Sequence, residues 1–501
     1  MRGLIWILFF VGLVTGCARA MEPAPFILVD QFGYLPELEK RAVIRDPVIG
    51  FDADRSFSPG AAYAVIDVAS GETVYTGSPT AWNDGQVDDL SGDRVWWFDF
   101  STVTRPGTYV VRDVDRGVES DRFDISPTVY EAVLRDAFKS FYYQRAGFEK
   151  REPYVETGYV DAPSHLGPGQ DTEAQRYDAV GDLSTARDLR GGWYDAGDYN
   201  QYTSWTSNYV SSLLFTYLQN PAAWTDEMGI PESGNGVPDI LDEVKWGLDW
   251  LERMQNPDGS MLSVLGRAEA TPPSKADGPS RYGLANTSAT LTAAGAFAMA
   301  ADVFRTQPEL RELAAGYTGR AVRAWRWAEA NPKVLFYNNS EEHGTQGLAA
   351  GQQEVDPERL RKKRLTASMQ LYALTRDQAY ARTVGQLYDE LGGITPESTS
   401  GFESDIGYNL LTYAALNRLP ADIAARVKTD YARLLEGWNG WPAVRDATHA
   451  YSAPVADYWW GSNSTKSRGG ARFAQTLQLG DAANPLPALN AGSHYLHYLK
   501  S

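Results

Sequence analysis

From Pro25 to about Ser126 apolar and polar positions alternate over short runs broken by turn residues, and from Pro127 onward they recur every three or four residues. The first pattern is that of strands and the second that of helices. Seven runs read as strands: FILVD, RAVI, AYAVIDV, ETVYTG, RVWWFDF, GTYVVRDV and SDRFDI, separated by turn signals such as Ser70-Gly71 and Pro106-Gly107. So many short strands in about a hundred residues predict a small immunoglobulin-like β-sandwich over 25–126.

Beyond it, Tyr130–Gln144 carries Ala132, Val133, Ala137, Phe138 and Phe141 on one face, and Trp205, Tyr209, Leu213 and Tyr217 recur at i+4. Asp239–Gln255 repeats the pattern through Leu241, Val244, Leu248 and Leu251. Further helices are predicted over Thr287–Phe304, Leu310–Ala330, Glu358–Leu374, Asp377–Leu391, Gly407–Leu416, Ala421–Trp438, Ser464–Gln478 and Leu486–Leu499. The run TSATLTAAGAFAMAADVF is apolar or small nearly all round, as in a helix covered on both sides. About eleven helices with long Gly- and Pro-rich connections predict an all-α domain over 129–501, of the α/α barrel type, carrying its site on loops at one end.

Composition narrows the function. A chain of 501 residues, 43% apolar, has room for two cores. Its net charge of −18 repels nucleic acid and anionic membrane surfaces, which leaves a neutral partner. Fifteen Trp and 28 Tyr suit a partly wet binding surface, although most such rings belong to cores. The first twenty residues, MRGLIWILFFVGLVTGCARA, have a positive start at Arg2 and an apolar run from Leu4 to Val14 too short to span a membrane. Val14-Thr15-Gly16-Cys17 resembles the lipobox of bacterial lipoproteins, and Cys17 is the sole cysteine, so no intrachain disulfide can form. Lipidation at Cys17 is expected, with cleavage after Ala20 as the alternative. The mature protein is then extracytoplasmic and touches membrane only through its anchor, with Ala18 pointing to the outer membrane of a Gram-negative cell.

The chemistry concentrates in Gly191–Tyr202, GGWYDAGDYNQY. Gly197 favours a turn, in which Asp195 and Asp198, three apart, come onto one side. Two carboxylates at that separation can share a water, one orienting it and the other taking its proton, while their mutual field spreads their pKa values. Trp193, Tyr194 and Tyr199 could wall a site for the flat faces of sugar rings. On spacing alone an Asx turn, a helix cap or half of a calcium site remain open.

GGWYDAGDYNQY resembles the signature of glycoside hydrolase family 9, the cellulase-type inverting hydrolases. Four other regions agree in the family's order: FILVDQFGYLP with DFSTVTRPGTYVV, FYYQRAG, GIPESGNGVPDILDEVKWGLDWLERMQNPDGS, and DYWWGSNSTKSR. The resemblance implies an immunoglobulin-like β-sandwich followed by an (α/α)6 barrel. It implies Asp198 as general base and Asp195 as the second holder of the nucleophilic water. Its substrate would be a β-glucan polysaccharide or oligosaccharide, no organic cofactor is needed, and a monomer is expected. Trp460 and His165 are candidates for lining the cleft beside Trp193 and Tyr199.

Departures from the family pattern sharpen the expectations. Gln201 stands where the family often has Lys, and Lys362-Lys363 stand where many members place an acidic calcium-binding pair, so no metal is expected there. From Gly437 to Ser501 there is no Glu, although the family's general acid is a Glu in that region. Together with a helix count below the twelve of the barrel, this leads to the expectation that the acid lies beyond Ser501 and that activity on natural glucan is low. If instead it lies within the chain, Glu403 in SGFESDIG is the first candidate. Two rivals complete the picture: a non-catalytic glycan-binding lipoprotein keeping the same barrel, and, more weakly, a polysaccharide lyase, whose uronate substrates an acidic chain repels.

Overall fold

The computed structural model describes residues 24–396, 398, 405–437, 440–454, 458, 461–480 and 484–500. They fall into two units that divide between Val129 and Tyr130.

In the first unit, alternation along a strand is what builds the core. In β2 (Arg41–Pro47), Ala42 and Ile44 point inward while Val43 and Arg45 face outward. That strand pairs antiparallel with β6 (Asp93–Asp99), which is extended by β5 (Thr80–Ala81), and β1 (Ile27–Leu28) lies on its other side. The second sheet runs β4 (Thr73–Gly77), β3 (Tyr63–Asp67), β7 (Gly107–Asp113), β8 (Val118–Glu119), with β9 (Phe123–Ile125) also on β7. Ile44, Tyr63, Val65, Phe98, Tyr109 and Phe123 meet in one buried cluster between the sheets. The two strands absent from the seven expected, β5 (Thr80–Ala81) and β8 (Val118–Glu119), are two residues long and, unlike the equally short β1 in FILVD, lie in no longer apolar run.

The second unit is helical: α1 (Glu131–Gln144), α2 (Thr203–Gln219), α3 (Asp239–Met254), α4 (Thr287–Phe304), α5 (Arg311–Ala330), α6 (Pro357–Thr375), α7 (Gln378–Glu390), α8 (Asp405–Ala415), α9 (Ala421–Leu435), α10 (Trp441–Arg445), α11 (Ser462–Gln475) and α12 (Leu486–Lys500). Their starts follow local chemistry. Asn286 Oδ1 accepts from the Ala289 amide at 2.7 Å ahead of α4, and Asp356 caps α6 just before Pro357. As its uniformly small and apolar sequence predicts, α4 is buried nearly all round, packed on α2, α5 and α6. Helices α2, α4, α6 and α8 each carry the next helix on their outer side, in the (α/α)6 barrel arrangement. The expected helices are present with ends shifted by a few residues, and α10, one turn long, is additional. A small sheet, β10 (Gln175–Arg176), β13 (Arg281–Tyr282), β12 (Val264–Gly266), β11 (Gln201–Tyr202) in that order, stitches the long connections together. Among the described residues no helix is long and apolar enough to cross a membrane.

The first turn of α3 buries two carboxylates. Burial is the main cause that raises Asp239 to about 6 and Asp242 to about 7, from an ordinary value of 3.8. For an acid raised in the folded state, the favourable contribution is complete below about pH 4 and lost as the pH climbs through 7. Asp242→Asn keeps an acceptor for Asn235 Nδ2, which donates to Asp242 at 3.0 Å. It is therefore expected to raise the thermal midpoint at pH 8 and to bring no gain below pH 4. Melts at both pH values check this.

Candidate active site

The segment Gly191–Tyr202 is shaped by its glycines and pinned at both ends. Gly192 has φ +70° and lies so close to Trp250 that a Cβ would sit 2.8 Å from the indole. The Gly192 carbonyl accepts from the Ala146 amide at 2.8 Å, and the Tyr194 amide donates to the Gln144 carbonyl at 2.9 Å, fixing the entry strand to the end of α1. At the exit β11 pairs with β12, Gln201 opposite Leu265. Between them the Asp195 amide donates to the Asn200 carbonyl at 3.0 Å and the Tyr199 amide to the Ala196 carbonyl at 3.2 Å. The two aspartates thus occupy a tight turn, with Tyr199 in the left-handed region at φ +55°.

Within that turn the carboxylates have different surroundings. Asp195 Oδ1 accepts from the hydroxyl of Tyr209, nearly two turns into α2. Burial raises the Asp195 pKa, the Tyr209 hydrogen bond opposes this, and the negative charge of Asp198 raises it further. Asp198 is half-buried. Its Oδ2 accepts from Asn200 Nδ2 at 2.8 Å and from the Tyr202 hydroxyl at 3.3 Å, and its Oδ1 from the Asn200 amide at 3.2 Å.

Asp195 lies on the wall of a cavity of about 760 Å³ formed by the inner helices. Trp205 and Tyr209 of α2, Thr292 of α4, Lys363 of α6, Asn409 of α8 and Arg468 of α11 line it. Lys363 Nζ donates to Ser204 Oγ at 3.0 Å and Ser288 Oγ at 2.7 Å, tying the second turn of α6 to the first turns of α2 and α4, while Lys362 pairs with Glu358 at 2.9 Å. Among the described residues no group of three or more His, Cys, Asp or Glu side chains is placed to hold a metal ion.

Two of the rings expected to face sugar do not. Trp193 is 2% exposed and lies behind the turn, its Nε1 donating to Glu243 Oε1 at 2.6 Å. The fit is close enough that a Cβ on Gly247 would come within 2.2 Å of the indole. His165, also 2% exposed, is buried because both ring nitrogens are engaged within the loops. Burial and the neighbouring Arg267 lower its pKa, so the ring is neutral: Nε2–H donates to the Ala268 carbonyl at 2.9 Å and Nδ1 accepts from the Tyr194 hydroxyl at 2.8 Å. Tyr199 keeps part of its ring in contact with solvent, edge-on to Tyr194 at 4.9 Å. Trp460, Glu403 and Cys17 lie outside the described residues. Tyr209, Asn200 and Trp205 were not expected as site residues. In the sequence Tyr209 and Trp205 form one apolar stripe on a helix, and only the hydroxyl on the former hints at a second role.

The helical unit is thus a barrel of paired helices that follows a β-sandwich in the chain, with Asp195 on the wall of its cavity and Asp198 in the same turn. Residues 130–486 match the profile of glycosyl hydrolase family 9, and residues 22–117 that of the cellulase N-terminal Ig-like domain. The chain belongs to glycosyl hydrolase family 9. It is 27% identical over 487 residues to Endoglucanase D of Acetivibrio thermocellus, covering 93% of this chain and 70% of that one. A xyloglucan-specific endo-β-1,4-glucanase of Bacteroides ovatus is 28% identical over 358 residues, 66% of this chain and 55% of the relative. The crystal structure of a metagenome-derived family 9 endoglucanase superposes with a TM-score of 0.77 at 28% identity, covering 94% of this chain and 82% of that one.

Proposed function

We propose that this enzyme hydrolyses β-1,4-linked glucan with inversion at the anomeric carbon. Asp198 takes the proton of the attacking water, and Asp195, its hydroxyl contact to Tyr209 fixing one oxygen, holds that water in place. The observation that carries the reading is the turn joining the two carboxylates, with Asp195 on the cavity wall and under the influence of Asp198's charge. In an inverting site the base and acid stand about 6.5–9.5 Å apart, with the water between base and sugar. The leaving-group proton needs a separate acid, and among the described residues the cavity lining holds no carboxylate besides Asp195. Activated aryl glycosides depart without that proton and so read the base step by itself. The names of the relatives, an endoglucanase and a xyloglucan-specific glucanase, favour a soluble or decorated β-glucan as substrate. Release of dinitrophenolate from 2,4-dinitrophenyl β-cellobioside, which needs no acid, tests the reading. Release no greater than that from the Asp198→Asn variant contradicts it.

The enzyme acts outside the cytoplasm, tethered through a lipid on Cys17. Supporting this is the Val14-Thr15-Gly16-Cys17 run behind a short apolar segment. Cys17→Ser is expected to move the protein from the membrane fraction to the soluble one. An unchanged distribution on fractionation counts against the tether.

A further inference from the structure

Asp198 sits near the tip of its turn, where Ala196 and Gly197 are exposed. Its carboxylate is held by polar groups. Asn200 Nδ2 donates to Asp198 Oδ2 at 2.8 Å, and Asn200 is itself buried, 7% exposed. The orientation of its amide is set by the other end: the Arg267 backbone amide donates to Asn200 Oδ1 at 3.0 Å, so the NH2 group must face the carboxylate. Arg267 follows β12, and its side chain is fully enclosed. Its guanidinium grips Asp171 through Nε at 3.0 Å and Nη2 at 2.7 Å, and Ser280 Oγ donates to Asp171 at 2.6 Å. Two further donors go to the signature segment: Nη1 to the Tyr199 carbonyl at 3.1 Å and Nη2 to Gln201 Oε1 at 2.8 Å.

Four consecutive positions, 198–201, are therefore referred to one fixed point, the first of them through Asn200. The left-handed Tyr199 has its carbonyl held by the guanidinium, and Asn200 has its amide held by the backbone of the same residue. Gln201 suits the arrangement because it offers an oxygen, whereas a lysine there would bring an ammonium against the guanidinium. The Asp198 carboxylate is left with Oδ2 occupied twice and Oδ1 holding one longer bond, so Oδ1 is the oxygen with capacity for a water's proton.

We infer that Asn200, locked by Arg267 and Asp171, is a positioning residue for hydrolysis: it aims the Asp198 carboxylate at the nucleophilic water. This rests on the reading of Asp198 as the base. Asn200 touches neither sugar nor water in this role and acts through Asp198 alone.

The test uses the full chain and 2,4-dinitrophenyl β-cellobioside, whose leaving group departs without a proton. Asn200→Ala is expected to lower kcat by about 10²-fold, the cost of a misaimed group, while cellotetraose affinity stays within about twofold and the thermal midpoint falls only modestly, from the loss of the acceptor for the Arg267 amide. Asn200→Asp is the same shape and keeps the acceptor for the Arg267 amide, but it puts an oxygen where Asp198 needs a donor. It is expected to lower kcat at least as much. Full kcat in Asn200→Asp overturns the proposal, as does a loss in Asn200→Ala matched by equal losses of glycan affinity and thermal midpoint. Asp198→Asn run in parallel separates the two readings: if it hydrolyses normally, the base assignment itself has failed, whereas if it is inactive and the Asn200 variants are not, only the positioning role has.

Discussion

Asp198→Asn is expected to abolish hydrolysis while leaving glycan binding within a few-fold. The amide fills the same space in the turn, and its oxygen can still accept from Asn200 Nδ2, which lies 2.8 Å from Oδ2 in the parent. It has no basic oxygen to take a proton, and general-base catalysis contributes about 10²–10⁴-fold on its own. Rates on activated cellobiosides and calorimetric titration with cellotetraose separate the two effects. Asp195→Asn should be damaging but leakier, because an amide oxygen can still accept from the Tyr209 hydroxyl and still help to hold a water. Wild-type rates in Asp198→Asn would remove the base from this account altogether.

Glu243→Ala is expected to be the most destabilising single change discussed here. Glu243 has no exposed side-chain surface. It accepts from Arg145 Nη2 at 2.8 Å, from Arg145 Nε at 3.1 Å and from Trp193 Nε1 at 2.6 Å. Arg145 is equally enclosed and reaches Glu232 through Nη1 at 2.9 Å, so one carboxylate joins the end of α1, the body of α3 and the indole behind the Asp195–Asp198 turn. Removing it strands a buried cation on a single, partly exposed partner and an indole N–H on none. Breaking a buried pair in this way costs about 3–5 kcal/mol. Urea unfolding should show it as a lowered midpoint, and a change below about 1 kcal/mol would mean that the network carries little of the barrel's stability. Glu243→Gln, which retains one acceptor oxygen, should fall between.

Legibility in the sequence followed periodicity. The run from Thr287 to Phe304 could be read as a helix covered on both sides because its small and apolar residues leave no polar stripe, and α4 is such a helix. Strands of five to seven residues were visible through alternation, whereas β5, β8 and the four strands of the small sheet are two or three residues long and carry no period. The same limit applied to the site. The Asp-Ala-Gly-Asp turn could be expected from Gly197 and the three-residue spacing, and Asp195 and Asp198 do share a turn. The roles of the flanking rings could not. Trp193 and Tyr199 have the same composition cue, yet one is buried on Glu243 and the other is partly exposed, a difference set by helix α3 fifty residues away. His165 and Arg267 were likewise beyond reach, because their partners come from segments that no spacing rule connects.

The central claim is that Asp198 delivers water to the face of the sugar opposite the leaving group. Its most direct test is the configuration of the first product, followed by proton NMR as 2,4-dinitrophenyl β-cellobioside is consumed. The account predicts that α-cellobiose appears first and mutarotates later to the equilibrium mixture. β-Cellobiose as the initial product would contradict it.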